Sequence, residues 1–142
     1  MSLYIDTSAL LKLFFSEPES VRTSEIVSQE SNITVSTLAR LEALVQIQRR
    51  ETIGALARDK ARERRRRLER LVTLSPFSLQ PCPSTLIASA ERQVIAATTY
   101  CGTLDRLHLA AMQLLNLRRL LTNDDTQATA ARALGFDVIL PR

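Results

Sequence analysis

The sequence has few of the residues from which several common functional sites are built. It contains two cysteines, Cys82 and Cys101, and a single histidine, His108. These are too few for a disulfide framework or a structural zinc site. Tryptophan is absent and aromatic residues make up only 4% of the chain, which argues against the stacking surfaces of base-binding modules. With 3 glycines and 5 prolines, collagen-like and low-complexity classes are also excluded.

Long apolar segments are missing as well. No run of about 18 apolar residues occurs, so no segment is predicted to span a membrane. The apolar N-terminal run over residues 3–15 is interrupted by Asp6 and Lys12 and follows no basic region, unlike a signal peptide. We therefore expect a cytoplasmic protein without a membrane partner.

What is present is the composition of one folded domain. The chain has 142 residues, of which 45% are hydrophobic and 24% charged, and this predicts a single domain over residues 1–142. The net charge of +4 has a local source. Residues 58–70, RDKARERRRRLER, carry eight basic and three acidic side chains, a surplus of +5 that leaves −1 for the rest of the chain.

Short apolar segments alternate along the chain with segments of helical periodicity. This alternation predicts an α/β fold with a parallel sheet that helices cover on both faces. The predicted strands cover residues 2–5, 33–35, 77–80, 119–122 and 136–140, and the predicted helices cover residues 9–15, 17–30, 37–51, 55–74, 85–100, 104–115 and 126–134.

Three aspartates lie where strands end or helices begin. Asp6 ends the first predicted strand and Asp124 follows the fourth, and open parallel sheets bind ligands beyond the carboxyl ends of their strands. Asp105 opens the predicted helix 104–115. Structural roles remain open, because Asp6 or Asp125 can cap a helix and a carboxylate in a first turn is favoured by the helix dipole.

Glu42 is the fourth acid in an unusual position. Leu38, Leu41 and Val45 predict a buried stripe on the helix over residues 37–51, and Glu42 falls on this stripe. A buried carboxylate costs roughly several kcal/mol unless it is paired or bound to a metal. Glu42 is therefore a candidate site residue, with a buried arginine partner or a place at the stripe's edge as alternatives.

Acids that converge at one edge of a sheet repel one another. Two carboxylates about 5 Å apart repel by roughly 3 kcal/mol at an effective dielectric of about 20. A cluster of Asp6, Asp105 and Asp124 would therefore need a cation, and oxygen ligands suit Mg²⁺ or Mn²⁺. The chemistry that this predicts is metal-assisted hydrolysis of a phosphodiester bond.

Four segments resemble, in order, the motifs of PIN-domain ribonucleases, and most of all those of VapC-type toxins from toxin–antitoxin pairs. The likeness extends over nearly the whole chain. The segments are LYIDTSALLK (residues 3–12), LARLE (38–42), LDRLHLA (104–110) and LLTND (120–124), the last followed by AARALG (130–135).

The resemblance implies a single PIN-like domain with about five parallel strands and helices on both faces. It also implies an Mg²⁺-dependent endoribonuclease that acts on RNA, forms a homodimer and is inhibited by a cognate antitoxin protein. The catalytic and metal-binding residues that it implies are Asp6, Glu42, Asp105 and Asp124.

Five further residues match positions beside these motifs. His108 matches a position that we interpret as orienting structure rather than catalytic. The others match polar positions that hold the carboxylates or the substrate phosphate, and they are Thr7, Ser8, Thr122 and Asn123.

Two other functions compete with a nuclease. A phosphoacceptor receiver domain also gathers acids at strand ends, but it needs a lysine at its fifth strand, and Lys12 and Lys60 both lie in predicted helices. A non-catalytic nucleic-acid-binding module using the basic helix 58–70 leaves Glu42 unexplained. In a nuclease, the same helix is predicted to attract the RNA backbone in a salt-dependent way, unless it is only solvated or contacts the antitoxin or the second subunit.

Overall fold

The computed structural model describes residues 2–142, and Met1 lies outside the described residues. Within this range no helix is long and apolar enough to cross a membrane. The strands are β1 (Leu3–Ile5), β2 (Ile33–Ser36), β3 (Phe77–Gln80), β4 (Arg119–Leu121) and β5 (Asp137–Ile139). The helices are α1 (Thr7–Leu11), α2 (Ser20–Ser28), α3 (Thr37–Thr52), α4 (Arg58–Leu71), α5 (Leu86–Ala96), α6 (Thr103–Leu114) and α7 (Asp125–Ala133).

The five strands form one sheet in the order β3-β2-β1-β4-β5, and every neighbouring pair is parallel. The prediction of an α/β fold with about five parallel strands is therefore confirmed. From β1 the chain adds strands on one side and then returns to add β4 and β5 on the other. The carboxyl ends of β1 and β4 consequently border the crevice where sheets of this kind bind ligands.

The core lies on both faces of the sheet. Successive side chains of a strand point to opposite faces, so Leu3 and Ile5 join one cluster, which includes Ala43 of α3. Tyr4 joins the other cluster, which includes Leu109 of α6. All three residues of β1 are fully buried, and helices cover both faces as predicted.

Four helices, α1, α2, α4 and α5, are shorter than predicted. The predicted start of the second helix at residue 17 is wrong, because α2 begins at Ser20. The Ser20 hydroxyl accepts from the Glu17 backbone N–H at 2.9 Å and donates to the Phe15 carbonyl at 2.7 Å. These bonds hold the segment before α2 as a turn. Helix α5 ends at Ala96, four residues before the predicted end.

Helix α3 buries a different stripe from the predicted one. Leu41 and Val45 are 59% and 48% exposed, so they do not define its inner face. The buried residues are Ala39, Ala43 and Ile47, whose spacing of four places them on one side of the helix. Two of the three are small alanines, and hydrophobicity alone therefore selected the wrong face. The acid expected within the buried stripe lies beside it.

Helix α4 contains the basic segment, and two of its arginines are tied to the fold. Arg64 Nε donates to the Phe14 carbonyl at 2.7 Å, and Arg67 Nη2 donates to the Leu13 carbonyl at 3.2 Å. The Arg64 guanidinium also lies 5.7 Å from the ring centre of Phe15. Because these carbonyls follow α1, the two arginines fasten α4 to the chain beyond that helix.

Other arginines of α4 are exposed. Arg62 and Arg66 make no hydrogen bond or ion pair within residues 2–142, and with Arg40 they line a groove of about 450 Å³. Arg65 lies between these extremes, because its Nη1 reaches Glu51 Oε1 at 3.4 Å. The attraction of RNA by segment 58–70 stays a prediction, and Arg62 and Arg66 are the arginines best placed to provide it.

We expect Arg64→Gln to lower the free energy of unfolding by about 1–2 kcal/mol, because it removes the bond to the Phe14 carbonyl and the contact with the Phe15 ring. Arg62→Gln is the matched control, since it removes the same charge from an exposed position of α4, and it should change stability by less than about 0.5 kcal/mol. Urea denaturation of both variants measures the difference. Equal stability of the two variants would contradict the structural role of Arg64.

Candidate active site

A pocket of about 210 Å³ lies at the carboxyl ends of β1 and β4. It brings together the four acids predicted from the sequence, and each comes from a different element. Asp6 follows β1, and Glu42 lies in the second turn of α3. Asp105 lies in the first turn of α6, and Asp124 precedes α7. The remaining lining residues are Thr7, Ser8, Leu11, Gln46 and His108.

Asp6 is enclosed, with only 2% of its surface exposed. Its Oδ1 caps α1 by accepting from the Ala9 backbone N–H at 3.0 Å and also accepts from the Ser8 hydroxyl at 2.7 Å. Its Oδ2 accepts from the Thr122 hydroxyl at 2.5 Å. Burial raises the pKa of Asp6, while His108 and these hydrogen bonds oppose the rise. Asp6 therefore combines the capping role with a place in the pocket.

A chain of hydrogen bonds holds Glu42. His108 Nε2 lies 2.5 Å from Glu42 Oε1, and the Thr7 hydroxyl donates to the same oxygen at 2.8 Å. On the other side of the imidazole, Nδ1 lies 2.6 Å from the Tyr4 hydroxyl. The Tyr4 hydroxyl in turn lies 2.7 Å from the Ser36 hydroxyl. This chain of hydrogen bonds thus runs from Ser36 at the N-terminus of α3, through Tyr4 of β1 and His108 of α6, to Glu42 at the pocket.

The carboxylate sets the direction of this chain. Since an ionised carboxylate only accepts, His108 donates to Glu42 from Nε2. In a neutral imidazole, Nδ1 then accepts from Tyr4, and Tyr4 accepts from Ser36, whose oxygen caps α3. Burial acts to raise the pKa of Glu42, but the hydrogen bonds from His108 and Thr7, together with the electrostatic attraction of His108, lower it overall. His108 thus positions Glu42, consistent with its predicted orienting role.

Sequence analysis did not identify Tyr4 or Ser36 as parts of the site. A signal for Tyr4 was present, because it carries the only polar side-chain atom in β1 and precedes Asp6 by two residues. Its burial would have been costly without a partner for the hydroxyl. The partner, His108, is 104 residues away in the sequence, so the pair could not be read from local spacing.

Asp105 experiences the repulsion that the sequence predicted. It is half-buried, and burial together with the negative charges of Asp124 and Asp6 raises its pKa from 3.8 to about 6. Within residues 2–142 its carboxylate accepts no hydrogen bond, and Gln127 Nε2 donates to its backbone carbonyl instead, at 3.3 Å. Asp105 is therefore the acid with most to gain from a nearby cation.

The structure distinguishes the two neighbouring acids at the start of α7. Asp124 lines the pocket, and its Oδ1 also caps α7 by accepting from the Gln127 backbone N–H at 2.8 Å. Asp125 is not the cap, because its carboxylate points outward and pairs with Arg142 at 2.8 Å. The first of the two acids is thus the one that shares the pocket.

Three of the four predicted polar neighbours hold carboxylates. Thr7 donates to Glu42, and Ser8 and Thr122 donate to Asp6. Asn123 contributes through its backbone, whose N–H donates to the Ser8 hydroxyl at 2.9 Å. Within residues 2–142, the groups that donate to Asp6, Glu42 and Asp124 are hydroxyls, backbone N–H groups and one imidazole. No arginine or lysine of this range pairs with the four acids, which leaves the pocket negative.

Comparison with known proteins gives the family. The model of the PIN domain matches residues 3–133. The chain belongs to the PIN-domain family. The match covers nearly the whole range in which the four motifs occur, and the wider prediction of one domain over residues 1–142 stays a prediction.

Relatives of this PIN domain include VapC proteins. Ribonuclease VapC46 of Mycobacterium tuberculosis is 32% identical over 149 residues, covering 99% of this chain and 98% of the relative. The resemblance to VapC-type proteins that the motifs indicated is therefore confirmed.

Solved structures share the fold. The crystal structure of Mycobacterium tuberculosis VapC20, described as a sarcin-ricin loop cleaving toxin, has a TM-score of 0.72 at 13% identity and covers 94% of this chain and 95% of that one. A toxin–antitoxin complex from Klebsiella pneumoniae has a TM-score of 0.65 at 20% identity, covering 100% and 98%. At such identities the likeness concerns the fold alone.

The donor set of the PIN-domain pocket suits a hard divalent cation. Four carboxylates line it, and the raised pKa of Asp105 reports their mutual repulsion. Within residues 2–142, no group of three or more His, Cys, Asp and Glu side chains is arranged to enclose an ion. Mg²⁺ commonly binds through only one or two carboxylates and completes its coordination with waters and phosphate oxygens. The residues present therefore fit such an ion.

Asp105→Asn tests the repulsion. A carboxyl group whose pKa rises from 3.8 to about 6 on folding binds its proton more tightly in the folded state. The stability that it contributes is present at low pH and is lost as the pH rises from about 4 to about 6. Metal-free Asp105→Asn should therefore be more stable than the wild type above about pH 6 and lose this advantage towards about pH 4. Urea denaturation over a pH series measures this, with Asp59→Asn as the control on α4; identical pH profiles for both variants would contradict it.

Proposed function

We propose that this PIN-domain protein is a metal-dependent endoribonuclease and the toxin of a type II toxin–antitoxin pair. The proposal rests on the pocket in which the four acids converge from separate elements. RNA as the substrate is supported by the name of the relative, a ribonuclease, and by the structural neighbour described as a sarcin-ricin loop cleaving toxin.

Mg²⁺ or Mn²⁺ is the cofactor of this proposal. Asp6 and Asp105 would bind the ion directly, and Glu42 and Asp124 would hold a second ion or the waters of the first. When bound, the ion supplies Lewis-acid activation for hydrolysis of a phosphodiester bond. Electrostatics support its presence, because four carboxylates would otherwise repel the phosphate of an approaching RNA chain.

The chain's own residues position the acids. Ser8 and Thr122 hold both oxygens of Asp6, and His108 fixes one oxygen of Glu42. Preorganised ligands lose little freedom when substrate binds, and this lowers the cost of reaching the reactive geometry. A non-catalytic module built on helix 58–70 accounts for none of these contacts, so the nuclease is the better proposal.

An antitoxin protein is the proposed partner. A structural neighbour from Klebsiella pneumoniae is described as a toxin–antitoxin complex, and a protein that cleaves cellular RNA requires control of its activity. We also propose a homodimer located in the cytoplasm. Support for the homodimer comes from α3, where the exposed side chains of Leu41 and Val45 lie one turn apart and form an apolar strip.

Asp6→Asn should abolish cleavage while preserving the fold. Asparagine caps a helix as well as aspartate does, so α1 keeps its N-cap while a charged ligand is lost. We expect cleavage of total cellular RNA in Mg²⁺ to fall by more than about 100-fold, with no loss of stability in the metal-free protein. Mg²⁺ should raise the melting temperature of the wild type more than that of the variant.

The control for this experiment is Asp137→Asn, which removes the same charge from an exposed position of β5, outside the pocket. It should cleave RNA at the wild-type rate and respond to Mg²⁺ as the wild type does. Cleavage by Asp6→Asn at the wild-type rate would refute the site assignment. Cleavage by the wild type that persists in EDTA would refute the metal.

The double variant Leu41→Glu, Val45→Glu tests the dimer. Two charges on the apolar strip of α3 should convert a dimer to a monomer, because they would be buried without partners at the interface. Light scattering after size-exclusion chromatography over a concentration series measures the mass. Leu74→Glu, which changes an exposed leucine outside α3, is the control. A wild-type monomer at all concentrations, or a dimer in the double variant, would argue against this interface.

A further inference from the structure

A second cavity, separate from the active-site pocket, lies between α5, α6 and the end of α7. Its volume is about 260 Å³, and it shares no lining residue with the pocket of the four acids. Several polar side chains line it, from α5, from α6 and from the segment that joins them. They belong to Ser89, Arg92, Gln93, Thr98, Thr99, Arg106 and Gln113.

Arg106 is buried in the wall of this cavity with most of its donors unused. Only 4% of its surface is exposed. Nη2 donates to the Thr99 carbonyl at 3.2 Å, whereas Nε and Nη1 are buried and have no hydrogen-bond partner within residues 2–142. In the same range no carboxylate lies within ion-pair distance of the guanidinium, unlike Arg119, which pairs with Glu30 at 2.6 Å.

This arrangement is energetically unusual. Arginine stays charged at any physiological pH, and a buried charge is costly unless it is paired and hydrogen-bonded. More than nine-tenths of buried polar groups in native proteins have a partner. A buried guanidinium with two idle donors beside a cavity is therefore the expected form of a binding site for an anion.

A second lining residue is also incompletely satisfied. Gln93 Nε2 donates to Gln113 Oε1 at 2.8 Å, and Gln93 Oε1 is buried without a partner within the described residues. This oxygen needs a donor, whereas Arg106 needs acceptors. A ligand that satisfies both must carry atoms that accept and at least one N–H or O–H that donates.

We propose that this cavity binds a phosphate group, as the free ion or as a phosphomonoester. The guanidinium fork of Arg106 matches two oxygens of a phosphate, and the O–H of a hydrogen phosphate ion, or of a phosphomonoester in its singly charged form, can donate to Gln93 Oε1. Arg92, exposed at the cavity, adds a second positive charge, which favours the doubly charged hydrogen phosphate ion. The site includes none of the four acids.

Thermal unfolding of the metal-free protein tests the site without any need for activity. In sodium phosphate the wild type should show a saturable rise in melting temperature, of about 4 °C at tenfold excess over Kd, relative to chloride at equal ionic strength. Arg106→Gln should lose this rise, apart from the general stabilisation that phosphate gives any protein. Arg22→Gln is the control for lost charge, since it removes an exposed guanidinium from α2, and it should keep the full rise.

Adenosine 5′-monophosphate and adenosine distinguish the two sources of phosphate. A larger rise with the nucleotide than with the ion would assign the site to a phosphomonoester, and an equal rise would assign it to the phosphate group alone. A rise with adenosine equal to that with its monophosphate would overturn the proposal. So would a rise in Arg106→Gln equal to that in the wild type, or no rise in the wild type beyond that in chloride.

A second variant keeps the test decisive if Arg106→Gln fails to fold. Arg92 is exposed, so Arg92→Gln should fold normally and raise the Kd for phosphate several-fold. Isothermal titration calorimetry of this variant and of Arg22→Gln provides the comparison. Equal affinities in the wild type and in Arg92→Gln would overturn the role of the second charge and, with it, the proposed preference for a doubly charged phosphate.

Discussion

The burial of the Asp6 carboxyl group is the constraint on which the rest of the active site depends. The group lies where β1 ends, α1 begins and β4 passes, and donors from each neighbourhood reach it: Ala9 and Ser8 from α1, and Thr122 from the end of β4. Because a carboxyl group so enclosed is costly without these donors, it fixes the start of the helix against the two strands. The pocket forms at this junction, and the other acids are brought to it by elements that pack around the same point.

Two kinds of acid meet there. Glu42 is held from behind by a buried imidazole and a hydroxyl group, which lower its pKa. Asp105 has no such support within residues 2–142, and its neighbours raise its pKa instead. Electrostatic repulsion therefore acts on Asp105 while Glu42 is fixed in place. An incoming cation would relieve the repulsion at Asp105 without any rearrangement of Glu42.

Much of this could be predicted from the sequence, and the failures have physical causes. Asp6 and Asp124 could be located because parallel strands bring their carboxyl ends to one edge. Glu42 was predicted from the wrong buried stripe of α3. The helix buries two alanines, and a pattern based on large hydrophobic residues does not detect such small side chains. Tyr4 and the idle donors of Arg106 could not be predicted, because their significance depends on which distant side chains reach them. Local spacing predicts strand ends and helix starts, but long-range polar partners depend on the packing of complete elements.

Two of the acids both cap a helix and line the pocket, and this affects how related sequences should be interpreted. Asp6 and Asp124 each begin a helix as well as line the pocket. A descendant that no longer needed its chemistry would still be under pressure to keep a capping side chain, Asp, Asn or Ser, at both positions, because the loss of a helix cap costs about 1 kcal/mol. Glu42 and Asp105 cap no helix, so they would be free to drift. In a family of such chains, Glu42 and Asp105 are thus the better markers of an active enzyme. The residues at the positions of Asp6 and Asp124 can persist after activity is lost.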